Sequence, residues 1–285
     1  MIKAWRHNWT SQARRYLRAD AIVVSIPKSG RTWLRVFLYA YFCRSVNREF
    51  TISNRKLAGT GVPKVMFTHD LWGYVTSRKL KFRLLGKELI PARACRTKPI
   101  LLLVRDPRDV IVSFFFQITK RGGSYRGDLS GAIRHPGFGV NAMVDVMNAW
   151  MAEWSRRSDF KFVRYEDCQS DTEAAFREVL GFLGVGKIDE AVLRHSLEFS
   201  SFENMKRMES MRQFKNKILS AANLDDPESY KVRRGIVGGY RDYVAPDDIR
   251  YLDHAVSRLD ERFGYGPGTR PIAFNTMSSS HLQTN

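Results

Sequence analysis

Lys28, Ser29, Gly30 and Thr32 stand together in the segment Ser25-Ile26-Pro27-Lys28-Ser29-Gly30-Arg31-Thr32-Trp33. A full positive charge, two hydroxyl donors and a glycine that lets the backbone come close are the parts of an oxyanion site. They lie between a short β-branched run and a longer helix-forming run. Backbone N–H groups at a helix start have no intrahelical acceptor, and the helix dipole adds positive potential there. The order departs from a Walker A loop, which sets glycine directly before its lysine. Here Pro27 precedes Lys28 and the glycine comes after it. A second set is Leu103-Val104-Arg105-Asp106-Pro107-Arg108-Asp109-Val110-Ile111-Val112-Ser113. It puts Arg105 at the end of another apolar run, with Asp109 and Ser113 four residues apart on one helix face. The planar guanidinium fork of Arg105 suits a phosphate. A third set, Val232-Arg233-Arg234-Gly235-Ile236-Val237-Gly238-Gly239-Tyr240, reads by itself as a basic loop with glycine freedom.

Such groups need a scaffold that delivers strand ends to one place. Residues 21–26, 64–68, 100–104 and 161–164 are short, apolar and β-branched, and predict buried strands. Residues 32–44, 108–120, 140–156, 172–183, 189–196 and 247–262 have helical patterning, and Pro107 suits the first turn of the second of these. Strands alternating with helices predict an α/β fold: a single domain with a central parallel sheet flanked by helices on both faces. In such sheets ligands bind beyond the carboxyl ends of the strands, where Lys28 and Arg105 fall. Residues 210–234 are polar and basic with weak periodicity and predict a long loop or lid. The expected domain is 1–265, with 1–18 a basic extension and 266–285 a flexible tail rich in Ser, Thr, Gly and Pro.

The chain of 285 residues carries 47 Lys and Arg against 29 Asp and Glu, a formal net charge of +18. That field attracts polyanions: a nucleotide, an acidic saccharide, an anionic membrane or nucleic acid. Two stretches concentrate it, residues 1–18 and 78–98, and both read either as solvated faces or as landing surfaces for an anionic acceptor or membrane. The longest apolar runs fall far short of the roughly 20 residues that span a bilayer. Arg14, Arg15 and Arg18 interrupt the N-terminal stretch, so no secretory leader is expected. Cys43, Cys95 and Cys168 are widely spaced and form neither a metal motif nor a disulfide framework, which predicts a reducing, cytoplasmic setting.

The run Pro27-Lys28-Ser29-Gly30-Arg31-Thr32-Trp33 closely resembles the 5′-phosphosulfate loop PKSGTTW of the sulfotransferases that use PAPS (3′-phosphoadenosine-5′-phosphosulfate), with Arg31 in place of threonine. The block from Leu103 to Ser113 resembles the same family's 3′-phosphate motif, which assigns Arg105 and Ser113 to that phosphate. Arg233, Arg234 and Gly235 match the first three positions of the family's RKGxxGDW loop, and Gly238 matches its second glycine, while Gly239 and Tyr240 replace Asp-Trp. Tyr165-Glu166-Asp167 resembles YEDM, and Ser200 to Lys206 resembles TSFxxMK. The resemblance therefore implies that Tyr165, Ser200 and Phe202, with Trp33, surround the adenine. Met66-Phe67-Thr68-His69 resembles the KTH segment, with Phe67 where many members have lysine. His69 is then the implied general base; imidazole titrates near neutrality, as that task requires. Asp70 is the neighbouring carboxylate that could orient it, although adjacent side chains usually point apart. The family's C-terminal dimer signature KxxxTVxxxE is not present as written.

The implied reaction moves a sulfuryl group from PAPS, leaving PAP, to an acceptor hydroxyl by in-line displacement. Lys28 offsets the charge that grows on the leaving phosphate oxygen, and no metal is required. The cofactor-binding set is Lys28, Ser29, Gly30, Arg31, Thr32, Trp33, Arg105, Ser113, Tyr165, Ser200, Phe202, Arg233, Arg234 and Gly235. The segments expected to line the acceptor side mix aromatics (Trp72, Tyr74, Phe82, Tyr125, Phe138) with basic groups and a glycine-rich rim. They favour a carbohydrate, glycolipid or other polar metabolite. Two other classes compete. A nucleotide kinase-like phosphotransferase needs the missing Walker pair and a Mg²⁺ carboxylate, for which Asp106 is the candidate. A catalytically inactive module binding polyanions or membrane needs no turnover. Nucleic acid is not an expected partner, since no recognition motif for it is visible.

Overall fold

Alternate residues of Ala21–Ser25 (β1) point to opposite sides of a sheet, and all five are buried. The computed structural model describes residues 11–76, 89–214 and 219–266. Lys3 and Arg6, the basic residues of 78–88, Phe82 and the segment 267–285 lie outside them. Val65–Thr68 (β2), Ile100–Val104 (β3) and Phe160–Arg164 (β4) complete a four-stranded sheet in the order β2-β1-β3-β4. Every pairing is parallel. The four strands fall where the apolar runs predict them.

The helices follow in chain order. Ser11–Leu17 (α1) precedes β1 and Arg31–Ser45 (α2) leaves it. Leu71–Thr76 (α3) and Ala92–Thr97 (α4) lie between β2 and β3. Pro107–Phe116 (α5) leaves β3 and passes into a π-helical turn, Gln117–Arg121. Leu129–Arg134 (α6) and Val140–Trp154 (α7) lead to β4. Tyr165–Ser170 (α8), Thr172–Phe182 (α9), Glu190–Phe199 (α10), Phe202–Ser210 (α11) and Pro246–Val256 (α12) follow. The last stops short of the expected 247–262. A 3-10 turn, Glu261–Phe263, is capped by Asp260 and buries Phe263, so the chain bends in there instead. The helices α1, α3, α4, α6, α8 and α11 are too short to show a period in sequence.

Two cores lie on the two faces of the sheet. On one, Ile22, Val24, Ile100, Leu102 and Val104 pack with Met147, Trp150 and Trp154 of α7. On the other, Val23, Leu101, Leu103 and Val163 pack with Leu34 and Phe37 of α2 and Phe176 of α9. Each fully buried side chain of this size contributes about 1.5–3 kcal/mol. This double burial explains why the strands read as unbroken apolar runs rather than alternating ones.

Register sets where the site is. Val24 pairs with Thr68 on one side and Leu102 on the other, so β1, β2 and β3 end nearly level. The chain leaves β1 for β2 on one side and later returns to β3 on the other. That reversal opens a crevice beyond the strand ends, the place where α/β folds bind ligands.

Candidate active site

Beyond β1 the chain makes a turn that leaves its donors free for an anion. Lys28 (φ 71°) and Gly30 (φ 90°) both adopt the left-handed region. For lysine this is a strained conformation of the kind found at ligand clamps. Glycine is needed at position 30 for a second reason: a Cβ there would lie 2.7 Å from Cδ2 of Tyr165. Gly30 caps α2 without any side-chain acceptor, so the first N–H groups of α2 face the turn. Ser29 is buried, and its Oγ has no hydrogen-bond partner among the described residues. A buried hydroxyl without a partner is costly unless a ligand supplies one.

The turn opens into a cavity of about 720 Å³ lined by Lys28, Gly30, Arg31, Thr32, Trp33, His69, Arg105, Ser113, Tyr165, Phe202, Arg233, Arg234 and Gly235, among others. Arg105 hangs from the end of β3. It donates to the carbonyl of Ile236 at 2.9 Å, sits 4.3 Å over the Tyr165 ring and approaches Asp109 at 3.4 Å. Its Nε is buried without a partner among the described residues. Asp109 accepts from the backbone N–H groups of Gly238 (2.8 Å) and Tyr240 (2.9 Å), fastening the third motif across α5. Gly235 has φ 66°, and a Cβ there would lie 2.9 Å from the Phe202 ring. Arg233 is held by Glu228 (2.8 Å) and the Tyr243 hydroxyl (2.7 Å), and Arg234 by Asp242 (2.6 Å).

The positive charge in this cavity outweighs the acids paired with it: Asp109, Glu228 and Asp242 hold Arg105, Arg233 and Arg234, while burial and like charge still act on Lys28 and Lys231. Burial pushes the Lys28 ammonium down to about 7, and Arg121, Lys231, Arg105 and Arg233 push it the same way. Lys231 falls to about 8 through burial, Arg121 and Arg31, with Glu209 opposing. Cations that depress one another's protonation define a site for a polyanion.

His69 follows β2. Its Nδ1 lies 2.7 Å from the carbonyl oxygen of Ser25. A carbonyl only accepts, so Nδ1 carries the hydrogen and Nε2 keeps its lone pair. Burial, then Arg31 and more weakly Lys231, lower its pKa to about 3, against the bond to Ser25 that raises it. The imidazole is therefore a neutral acceptor at ordinary pH.

Residues 18–264 match the family described as "Sulfotransferase domain". The chain belongs to the sulfotransferase family. It is a PAPS-dependent sulfotransferase, as the order of its motifs implies. "Cytosolic sulfotransferase 12" of Arabidopsis thaliana is 23% identical over 261 residues, covering 86% of this chain and 77% of that protein. "Sulfotransferase 2A1" of Rattus norvegicus is 24% identical over 265 residues, covering 88% and 87%. The fold is shared with a mouse sulfotransferase complexed with PAP (TM-score 0.56, 16% identity, 84% and 83% of the two chains). It is also shared with retinol dehydratase in a complex with retinol and PAP (TM-score 0.55, 18% identity, 88% and 83%).

In this sulfotransferase Asp70 does not orient His69. It is buried and accepts from the Ile90 backbone N–H (2.8 Å) and from Trp150 Nε1 (3.1 Å), so it ties α3 and α7 together beneath the site. The Ser25 carbonyl takes the orienting role. Ser29 and Ser200 both lie outside the cavity lining: Ser29 is fully buried in the turn, while the Ser200 hydroxyl donates to the Ser196 carbonyl at 2.8 Å and Ser201 lines the cavity instead. Asp106 is occupied by Arg108 (2.7 Å) and by capping α5, which leaves it poorly suited to a metal.

Three contributors carry no motif. Buried Glu209 accepts from the backbone N–H groups of Lys231 (2.8 Å) and Val232 (2.9 Å) and lies 3.6 Å from Arg121. Arg121 in turn donates to the carbonyls of Ser229 (2.6 Å) and Ser220 (2.8 Å). This clamp brings Lys231 into the cavity. The only sequence signal is an acid, Glu209, just ahead of a basic loop.

Proposed function

We propose that the protein transfers the sulfuryl group of PAPS in line to an acceptor hydroxyl, with His69 as general base and Lys28 neutralising the leaving phosphate. The observation that carries this reading is the pairing of His69 Nδ1 with the Ser25 carbonyl at 2.7 Å, which holds a neutral base in the same cavity as the cationic turn. PAPS supplies the sulfuryl group and departs as PAP. Ser29, Thr32, the N–H groups of α2 and Arg31 hold the 5′ end. Arg105, Ser113 and the loop of Arg233, Arg234 and Gly235 hold the 3′-phosphate, and Trp33, Tyr165 and Phe202 enclose the base. Orphaned Ser29 Oγ and Arg105 Nε fit such a polyanion. His69 Nε2 takes the acceptor proton while Lys28 faces the charge that develops on the leaving oxygen.

The acceptor class we infer is a carbohydrate, glycolipid or polar metabolite. Phe114 lines the cavity and packs on Trp72 (5.6 Å) and Phe138 (5.7 Å), and Phe138 packs on Tyr125 (5.6 Å). This aromatic row runs to an exposed rim at Gly122, Gly123 and Arg126. Flat rings beside polar rim groups suit a sugar ring, which has apolar faces and hydroxyl edges. Residues 1–265 are read as one domain with a basic N-terminal extension. Relatives carry the word cytosolic in their names, and among the described residues no helix is long and apolar enough to cross a membrane. We infer a cytoplasmic enzyme, with the basic stretches 1–18 and 78–98 available for peripheral contact with anionic membrane.

Transfer of radiolabelled sulfuryl from PAPS to a panel of sugars, glycolipids and hydrophobic alcohols tests this. Wild type labels polar acceptors, and His69→Asn labels them about 10²–10⁴-fold more slowly while binding PAP normally. Labelling of hydrophobic alcohols alone contradicts the acceptor class. PAP binding without any transfer favours an inactive polyanion-binding protein.

A further inference from the structure

A second cavity, of about 960 Å³, lies on the outer side of β2. β2 is an edge strand of the sheet, bonded among the described residues to β1 alone. The two cavities share no lining residue. No motif points to the second one.

Its wall has two kinds of surface. The floor is apolar: Ile52, Leu57, Val62, Val65 and Phe67 line it and pack into the core on the α2 face of the sheet. The walls are cationic. Arg14, Arg15 and Arg18 come from α1 and the turn after it, Arg35 from α2, Arg55 and Lys64 from the segment between α2 and β2. Against these six cations stands one acid, Asp20, and its carboxylate already accepts from the Lys64 backbone N–H at 2.8 Å. None of the six makes an ion pair with another described residue.

Arg35 is the most informative. It is half-buried, with its guanidinium 5.3 Å from the centre of the Phe67 ring and one N–H bonded to the Ile52 carbonyl at 3.2 Å. Its Nε is buried and has no partner among the described residues. Burial holds this arginine below its ordinary range; neighbouring Tyr39 opposes that shift, and no carboxylate does. A cation that is merely solvated keeps its donors in water; this one has turned a donor inward, beside an aromatic floor. An unpartnered buried donor is costly, and an oxyanion is its natural complement. The volume is that of a site for a small organic molecule.

We propose that this cavity is a second binding site, separate from the donor and acceptor sites, for a small soluble organic anion: a sulfate or phosphate ester whose apolar part rests on Phe67 and Ile52 and whose oxyanion meets Arg35 and the arginines of α1. The proposal does not depend on the catalytic roles of His69 or Lys28.

The test uses 1-naphthyl phosphate and 1-naphthyl sulfate as probes, titrated calorimetrically into full-length enzyme saturated with PAP, with inorganic phosphate and phosphatidylglycerol vesicles as parallel arms. One naphthyl ester binds with one-to-one stoichiometry and inorganic phosphate more weakly. Arg35→Gln and the double variant Arg14→Gln/Arg18→Gln each raise the naphthyl ester's Kd by about tenfold or more. The double variant lies on the exposed wall and keeps PAP affinity and sulfuryl transfer unchanged. Ester affinity that is unaltered in both variants overturns the proposal. So does binding to the vesicles alone, which would make this face a membrane contact.

Discussion

His69 donates from Nδ1 to the carbonyl of Ser25 at 2.7 Å, so the residue that ends β1 orients the imidazole that follows β2. Two adjacent parallel strands thereby place a neutral imidazole beside the cationic turn without using a carboxylate. The pairing also fixes the protonation state. With its pKa lowered to about 3, chiefly by burial, His69 stays a base well below the ordinary 6.5. The rate profile should therefore show no acid limb between pH 5.5 and 7. Because the unfolded chain takes up a proton at about 6.5 and the native site does not, His69 destabilises the fold as pH falls through that range. His69→Asn should remove that part of the slope in thermal unfolding and lower transfer by about 10²–10⁴-fold. An acid limb near 6.5 that disappears in the variant would show that the site protonates normally.

Lys28 makes the opposite demand on pH. Its free-state pKa of about 7 is low because of burial and four neighbouring cations, and a bound polyanion must raise it. Above pH 7 binding then requires proton uptake, and PAP affinity should weaken by up to about tenfold per pH unit. Below pH 7 Lys28 is protonated in both states, so affinity levels off. Titrations in buffers of different ionisation enthalpy measure the uptake directly, and Lys28→Met should abolish it.

The link from Asp109 to the N–H groups of Gly238 and Tyr240 holds the third motif over the cavity. Asp109→Ala leaves two backbone donors without their charged acceptor, at a cost of about 1.5–3 kcal/mol. PAP affinity should fall by about tenfold or more, and limited proteolysis should cut faster near residues 235–239. Unchanged cutting would mean that the loop is held by other contacts.

Gly30 tests the turn itself. Alanine there must adopt φ 90° and place its Cβ 2.7 Å from the Tyr165 ring. We expect Gly30→Ala to lose about 1–3 kcal/mol of stability and to bind PAP more weakly. Calorimetric melting should show a drop of about 2–4 °C per kcal/mol for a domain of this size.

The sheet was legible because both of its faces are buried: 100–104 is a strand by its apolar run alone, and the level ends of β1 and β3 put Lys28 and Arg105 together. Local chemistry was legible too, as in Pro107 at the start of α5 and Gly30 at the start of α2. Long-range side-chain links were not. Nothing in the spacing says that Asp70 reaches Trp150, that Glu209 carries Lys231 into the cavity, or that Asp109 grips Gly238. Each joins a carboxylate to a donor far along the chain, and only the packed helices decide the partner. The basic cavity beside β2 was hidden for the same reason, since its arginines come from three separate segments.

The most direct test of the account is calorimetric titration of PAP, with AMP and ADP as controls, into wild type and Arg105→Ala. Wild type should bind PAP at micromolar concentration or tighter and AMP far more weakly, and the variant should lose PAP binding. Equal affinity for PAP and AMP, or a folded wild-type protein that does not bind PAP, would contradict it.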